Sequence, residues 1–107
     1  MNREFIETFV FTKRIQELLT DEEYACLQAD LIRRPEAGAL IQGGKGLRKL
    51  RWAGAGKGKR GGVRIIYYFQ LRHRQIYMIY PFKKSDQTDL TPEQLKILTQ
   101  HLKEGVL

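Results

Sequence analysis

Residues 43–69 read GGKGLRKLRWAGAGKGKRGGVRIIYYF, and this stretch decides the fold. It divides into strand, basic glycine-rich loop and strand. Residues 47–53 hold Leu50 and Trp52, with Arg48, Lys49 and Arg51 between and beside them. Residues 54–62 carry five glycines together with Lys57, Lys59 and Arg60, a loop composition. Residues 63–71 are apolar, β-branched and aromatic, as in a buried central strand. Arg64 is the single charge that interrupts them. Alternation puts Val63, Ile65, Tyr67 and Phe69 on one face and Arg64, Ile66, Tyr68 and Gln70 on the other. An arginine at the mouth of a core strand, beside a cationic loop, is an arrangement that can hold a phosphate.

The surrounding charge pattern points the same way. No Asp or Glu occurs between Glu36 and Asp86, a gap of 49 residues that holds 12 of the 19 Lys and Arg residues. The segments before and after the gap are net acidic, so the overall charge of +7 resides in the middle. A solvated surface normally intersperses both signs. This asymmetry implies a polyanionic partner, nucleic acid first.

At 107 residues the chain is the size of one domain, 1–107, with one modest core. No apolar run approaches the ~20 residues that span a bilayer, and MNREFIET has no signal-peptide character. A cytoplasmic location is the default expectation. The lone Cys26 cannot form an internal disulfide and reads as a small buried hydrophobe in a helix.

Outward from the central stretch, residues 3–10 read as a first strand. Thr12 is a candidate cap for a short helix carrying Ile15, Leu18 and Leu19. Thr20 and Glu23 form a capping box for a second helix with the stripe Tyr24, Leu27 and Leu31, ended by Pro35. Residues 35–46 connect, with Leu40 and Ile41 tucked into the core. His73 and Arg74 occupy a hairpin turn, and residues 76–82 form a further strand whose pairing is expected to end at Pro81. Thr91 caps a last helix with Pro92 at its first position and Gln94 two residues on; Leu95, Leu98 and Leu102 form its stripe. The order is βααβββα. The expected fold class is α+β: an antiparallel or mixed four-stranded sheet, two N-terminal helices on one face and a C-terminal helix. The other face stays open, with Lys49, Arg51 and Arg64 pointing into it.

Four stretches, DEEYACLQADLIRRPEAG, IQGGKGLRKLRW, GKGKRGGVRIIYYF and YPFKKSDQTDLTPEQ, resemble the RelE/ParE superfamily of type II toxin–antitoxin toxins, with the HigB-type subgroup nearest. GKGKRGGVRIIYY carries the most specific part. The resemblance implies the RelE-like fold and a toxin that cleaves mRNA in the ribosomal A site of a bacterium. It implies the 70S ribosome and mRNA as partners, and a cognate antitoxin, of helix-turn-helix HigA type, which alone would bring the toxin to operator DNA.

RNA can be cut without metal when its 2′-hydroxyl attacks the adjacent phosphorus. The step needs a base at the 2′-oxygen, an acid at the departing 5′-oxygen and cations on the phosphoryl oxygens. His73 and His101 lie outside the basic cluster and read as surface residues. RelE-like toxins use Lys and Arg for this work, and a lysine crowded by cations has a lowered pKa suited to a base. Carried over on the matching positions, the resemblance makes Arg64 the ligand of the scissile phosphate. Lys57, Lys59 and Lys84 become candidates for proton transfer or phosphate contact. Arg48, Lys49, Arg51, Arg60, Lys83 and Tyr68 become candidate RNA or ribosome contacts; this chain lacks a family tyrosine after Tyr80, so either Tyr68 takes its place or the base is gripped differently and Tyr68 is simply core. Which residue is base and which acid stays open. Asp86 and Asp89 follow Lys84 and could orient it, but read rather as capping or loop-bonding residues.

No metal or cofactor is expected: one cysteine gives no zinc spacing, and GAGKGKRGG departs from G-x-x-x-x-G-K-[ST]. Two other readings fit the charge. A ParE-like gyrase inhibitor would keep the fold without nuclease activity, and a non-catalytic RNA-binding module would bind without cutting.

Overall fold

The computed structural model describes residues 3–52 and 62–104. Among these residues the chain order is β1 (Glu4–Glu7), α1 (Phe9–Leu18), α2 (Asp21–Arg33), β2 (Ala39–Leu40), β3 (Leu47–Trp52), β4 (Val63–Gln70), β5 (Gln75–Lys83) and α3 (Pro92–Glu104). The α+β class holds, but the sheet has five strands where four were expected. The addition is β2, two residues of the connector that pair antiparallel with Arg48 and Lys49. So short a strand leaves no periodicity to read. The sheet order is β1-β5-β4-β3-β2. β5, β4 and β3 form an antiparallel meander, and β1 lies parallel to β5.

β1 ends at Glu7, before the expected limit of residue 10, because the chain turns into a helix at once. Thr8, not Thr12, is the cap: its hydroxyl accepts the Phe11 N–H at 3.0 Å. The same hydroxyl donates to the Ile79 carbonyl at 2.8 Å, tying the helix start to β5. Thr12 instead donates to Glu7 and to the Thr8 carbonyl. Thr8→Ala should lower folding stability by about 1–2 kcal/mol and Thr8→Ser by less, read by denaturant titration. The two other helix starts follow their sequence signals. Thr20 and Glu23 form the reciprocal capping box of α2, and Thr91 and Gln94 exchange the same pair of bonds at α3.

One face of the sheet packs under α1 and α2. Phe11, Ile15, Leu19, Leu27 and Leu31 meet Val63, Ile65, Tyr67, Ile76 and Met78 there. The opposite face is not left open. Leu95, Leu98 and Leu102 of α3 pack over Leu47, Ile66, Ile79 and Phe82. α3 thus covers the apolar part of that face and leaves the basic end of β3 and β4 beside it. No helix among the described residues is long and apolar enough to cross a membrane.

Three single-residue expectations are corrected. Leu40 is 63% exposed, because β2 is an edge strand; Ile41 does pack into the α3-side cluster. Cys26 is exposed on α2, since the buried stripe runs through Leu27 and Leu31. Pairing runs on past Pro81 to Lys83. Pro81 is tolerated in β5 because β1 ends opposite Met78. Its carbonyl points to that vacated side, where it accepts from Arg14 at 3.1 Å, so its missing N–H costs β4 no ladder bond.

Candidate nucleic-acid interface

The register of β3, β4 and β5 assembles the basic face. Arg51 lies directly opposite Arg64, and Arg64 lies directly opposite Phe82 on its other side. One step inward, Lys49 faces Ile66 and Ile66 faces Tyr80. Directly opposed residues share a face with Cα atoms about 4.5–5.5 Å apart. Two arginines facing each other across a ladder repel, and such a pair is unfavourable in the absence of an anion.

Arg64 is only 7% exposed. Burial and the neighbouring Arg51 both disfavour its charged form, and Asp89 partly offsets them. Arginine nevertheless stays charged, because its ordinary value lies so far above neutral. The result is a desolvated guanidinium whose attraction for an anion is weakly screened.

Asp89 is the acid brought to this face. It stands in the segment between β5 and α3, with Oδ1 3.0 Å from Lys49 Nζ. Burial raises its pKa, but the bond from Lys49, the bond from the Leu90 N–H and the fields of Lys49 and Arg64 outweigh burial. The carboxyl therefore titrates below its ordinary range. The loop bond to Leu90 matches the sequence reading; the ion pair to Lys49 does not appear in it. Forty positions separate the two residues, and no local pattern could have joined them. Phe82, apolar and in a strand, likewise gave no sign that it would lie beside Arg64.

A β-bulge settles the placement of Lys83. The register shifts between Ile66 and Tyr67, so that Ile66 pairs with Tyr80 while Tyr67 pairs with Met78. Ile79 is the extra residue, and both Ile79 and Tyr80 belong to the α3-side cluster. Alternation restarts after them. Phe82 therefore joins Arg64, and Lys83 falls opposite Val63 on the α1–α2 side. The ladder extends one step, with the Lys84 N–H donating to the Gly62 carbonyl at 3.3 Å. Lys84 itself stands in the turn that follows β5, beyond the strand's alternation.

The expected residues thus divide. Lys49, Arg51 and Arg64 share one face, and Lys84 stands in the turn just after β5. Lys57, Lys59 and Arg60 lie outside the described residues. Arg48 belongs to the other face and holds the connector, donating to the Gly38 carbonyl at 2.7 Å and to the Glu36 carbonyl at 3.3 Å. Lys83 is on the far side by register. Tyr68 shares the Arg64 face but sits four residues along β4, about 13 Å away. It packs over Gly46 and against Tyr77 at 6.3 Å. Gly46, at φ 104°, is needed there, since a Cβ would come within 2.8 Å of the Tyr68 ring. His73 is exposed in the hairpin turn at the opposite end of β4, and His101 is exposed on α3 beside Ile97 and Phe9.

The face can therefore hold an anion between opposed arginines, with Lys49 and the Phe82 ring adjacent. A family model described as the RelE toxin of the RelE / RelB toxin–antitoxin system matches residues 5–105.

Proposed function

The chain belongs to the RelE toxin family, and from that premise we propose that it is a ribosome-dependent mRNA endonuclease of HigB type. The observation that carries the reading is the buried Arg64 set opposite Arg51, with Lys49 on the same face. A simple binding module would use this charge only to hold RNA, whereas phosphoryl transfer also uses it in the transition state, where negative charge builds on the non-bridging oxygens.

In the proposed reaction the 2′-oxygen attacks phosphorus, the bond to the 5′-oxygen breaks, and the products are a 2′,3′-cyclic phosphate and a free 5′-hydroxyl. Arg64 grips the non-bridging oxygens with its planar fork, and Arg51 adds charge from the exposed side. Lys84, with Lys57 and Lys59 of the loop, serves proton transfer at the 2′- and 5′-oxygens. The cationic donor set suits a mechanism without metal, since the protein itself neutralises the phosphate. The ribosome orients the message, which supplies the part of the rate enhancement that comes from positioning. A cognate antitoxin accompanies the toxin, of HigA type on this reading, in the bacterial cytoplasm.

The test is cell-free. Purified protein is added to a defined mRNA with and without translating ribosomes, and cuts are mapped by primer extension. Cuts on ribosomes alone, ending in a cyclic phosphate, are the expected result. A folded sample that cuts in neither setting would remove the endonuclease reading and direct the work to gyrase supercoiling. Cuts on naked RNA would remove the ribosome requirement.

A further inference from the structure

The Lys49–Asp89 pair is not needed to build the fold. Both partners are partly exposed, at 31% and 59% of the side chain, and such pairs add little stability. Yet Asp89 is carefully held. Its Oδ1 accepts the Leu90 N–H at 2.8 Å, and its carbonyl accepts Gln87 Nε2 at 2.8 Å. Gln87 Nε2 in turn reaches Gln94 Oε1 at 2.9 Å, in the first turn of α3. A strand-end segment thus presents one carboxylate to Lys49, and that carboxylate also acts on Arg64.

We propose that Asp89 is an internal stand-in for the substrate phosphate, paired with Lys49 in the free protein and leaving when an RNA phosphodiester arrives. The inference rests on the reading of this face as the RNA site. A carboxylate and a phosphodiester are both monoanions that present oxygen acceptors, so they compete for the same donors. A partly exposed ion pair is weak enough to be displaced, and strong enough to lower the affinity of the free protein for naked RNA. It also keeps Lys49 extended toward the position the phosphate will take.

The test measures binding without chemistry. A 2′-O-methyl RNA of about ten nucleotides has no nucleophile and fits the site sizes of single-strand binders; its affinity is read by fluorescence anisotropy across a salt series. Asp89→Asn removes the charge and keeps the shape. It should tighten binding about threefold to tenfold at low salt and steepen the salt dependence by about 0.7, one counterion's worth for a single strand. Asp89→Ser, which still accepts from the Leu90 amide, should act in the same direction. Unchanged or weaker binding in both folded variants overturns the inference. Arg64→Ala in the same assay separates the two claims. If it leaves RNA binding intact, the reading of the face fails. If it weakens binding while the Asp89 variants do not strengthen it, the stand-in alone fails.

Discussion

Arg64→Ala is expected to cut the single-turnover rate of mRNA cleavage on programmed ribosomes by about 100- to 1,000-fold, the usual loss when one buried donor to a developing oxyanion is removed. Folding should survive the change. Arg64 is buried and lies opposite Arg51, so its removal relieves a repulsion and offsets part of what its side-chain contacts contribute. The melting temperature should move by only a few degrees. Arg64→Lys discriminates between charge and geometry. A lysine keeps the charge as a point and loses the planar fork, so it should restore a minor part of the rate. Full activity of Arg64→Ala on ribosomes, by primer extension, would remove this residue from the chemistry.

The largest expected effect on stability from a single lost oxygen is at Tyr67. Its ring is fully buried in the α1–α2 cluster. Its hydroxyl donates to the Pro35 carbonyl at 2.8 Å and accepts the Gly38 N–H at 2.8 Å. Burial, the largest influence, holds the phenol above its ordinary pKa, so it remains a neutral donor throughout the working range. Tyr67→Phe keeps the ring but strands a part-buried carbonyl and a buried N–H. Each orphan costs roughly 1–3 kcal/mol, and the combined expectation is about 2–3 kcal/mol. For a chain of this size that corresponds to a fall of roughly 10 °C in melting temperature. The effect should also reach the basic face. The clamped segment leads into β2, and Ala39 of β2 pairs with Lys49. Gly38 is packed so closely that an added Cβ would lie 2.8 Å from the Tyr67 ring and 3.1 Å from the Lys49 backbone. A variant that melts within a degree or two of the parent would show that water takes over both bonds.

Much of this architecture was legible in the sequence because it follows from local rules. The helix starts at Thr20 and Thr91 obey capping chemistry, and β4 obeys period-two alternation. That alternation alone placed Arg64 on the face opposite Tyr67. What was missed depended on contacts remote in sequence or on departures from a regular period. Thr8 displaced Thr12 as a cap because it also bonds β5, seventy-one positions away. Pro81 stayed in the sheet because a different strand ended beside it. Leu40 was read as core from its hydrophobicity, but edge position, a property of the whole sheet, left it in solvent. Within the candidate site, Lys49, Arg51 and Arg64 were gathered as expected, whereas Arg48 and Lys83 fell on the other side of the pleat. The sequence offers Asp89 a neighbouring lysine, Lys84, or a cap or loop bond; its ion-pair partner, Lys49, comes from another strand.

The bulge at Ile79 has a consequence for the charge of the basic face. Pleated strands assign side chains by odd and even position, and one inserted residue exchanges the two classes from that point on. Downstream of Ile79 the chain carries two successive lysines, Lys83 and Lys84. With the bulge Lys83 falls opposite Val63, away from Arg64; a regular strand would send it to Arg64's side instead. The inserted residue therefore sets how much charge the end of β5 delivers to the basic face.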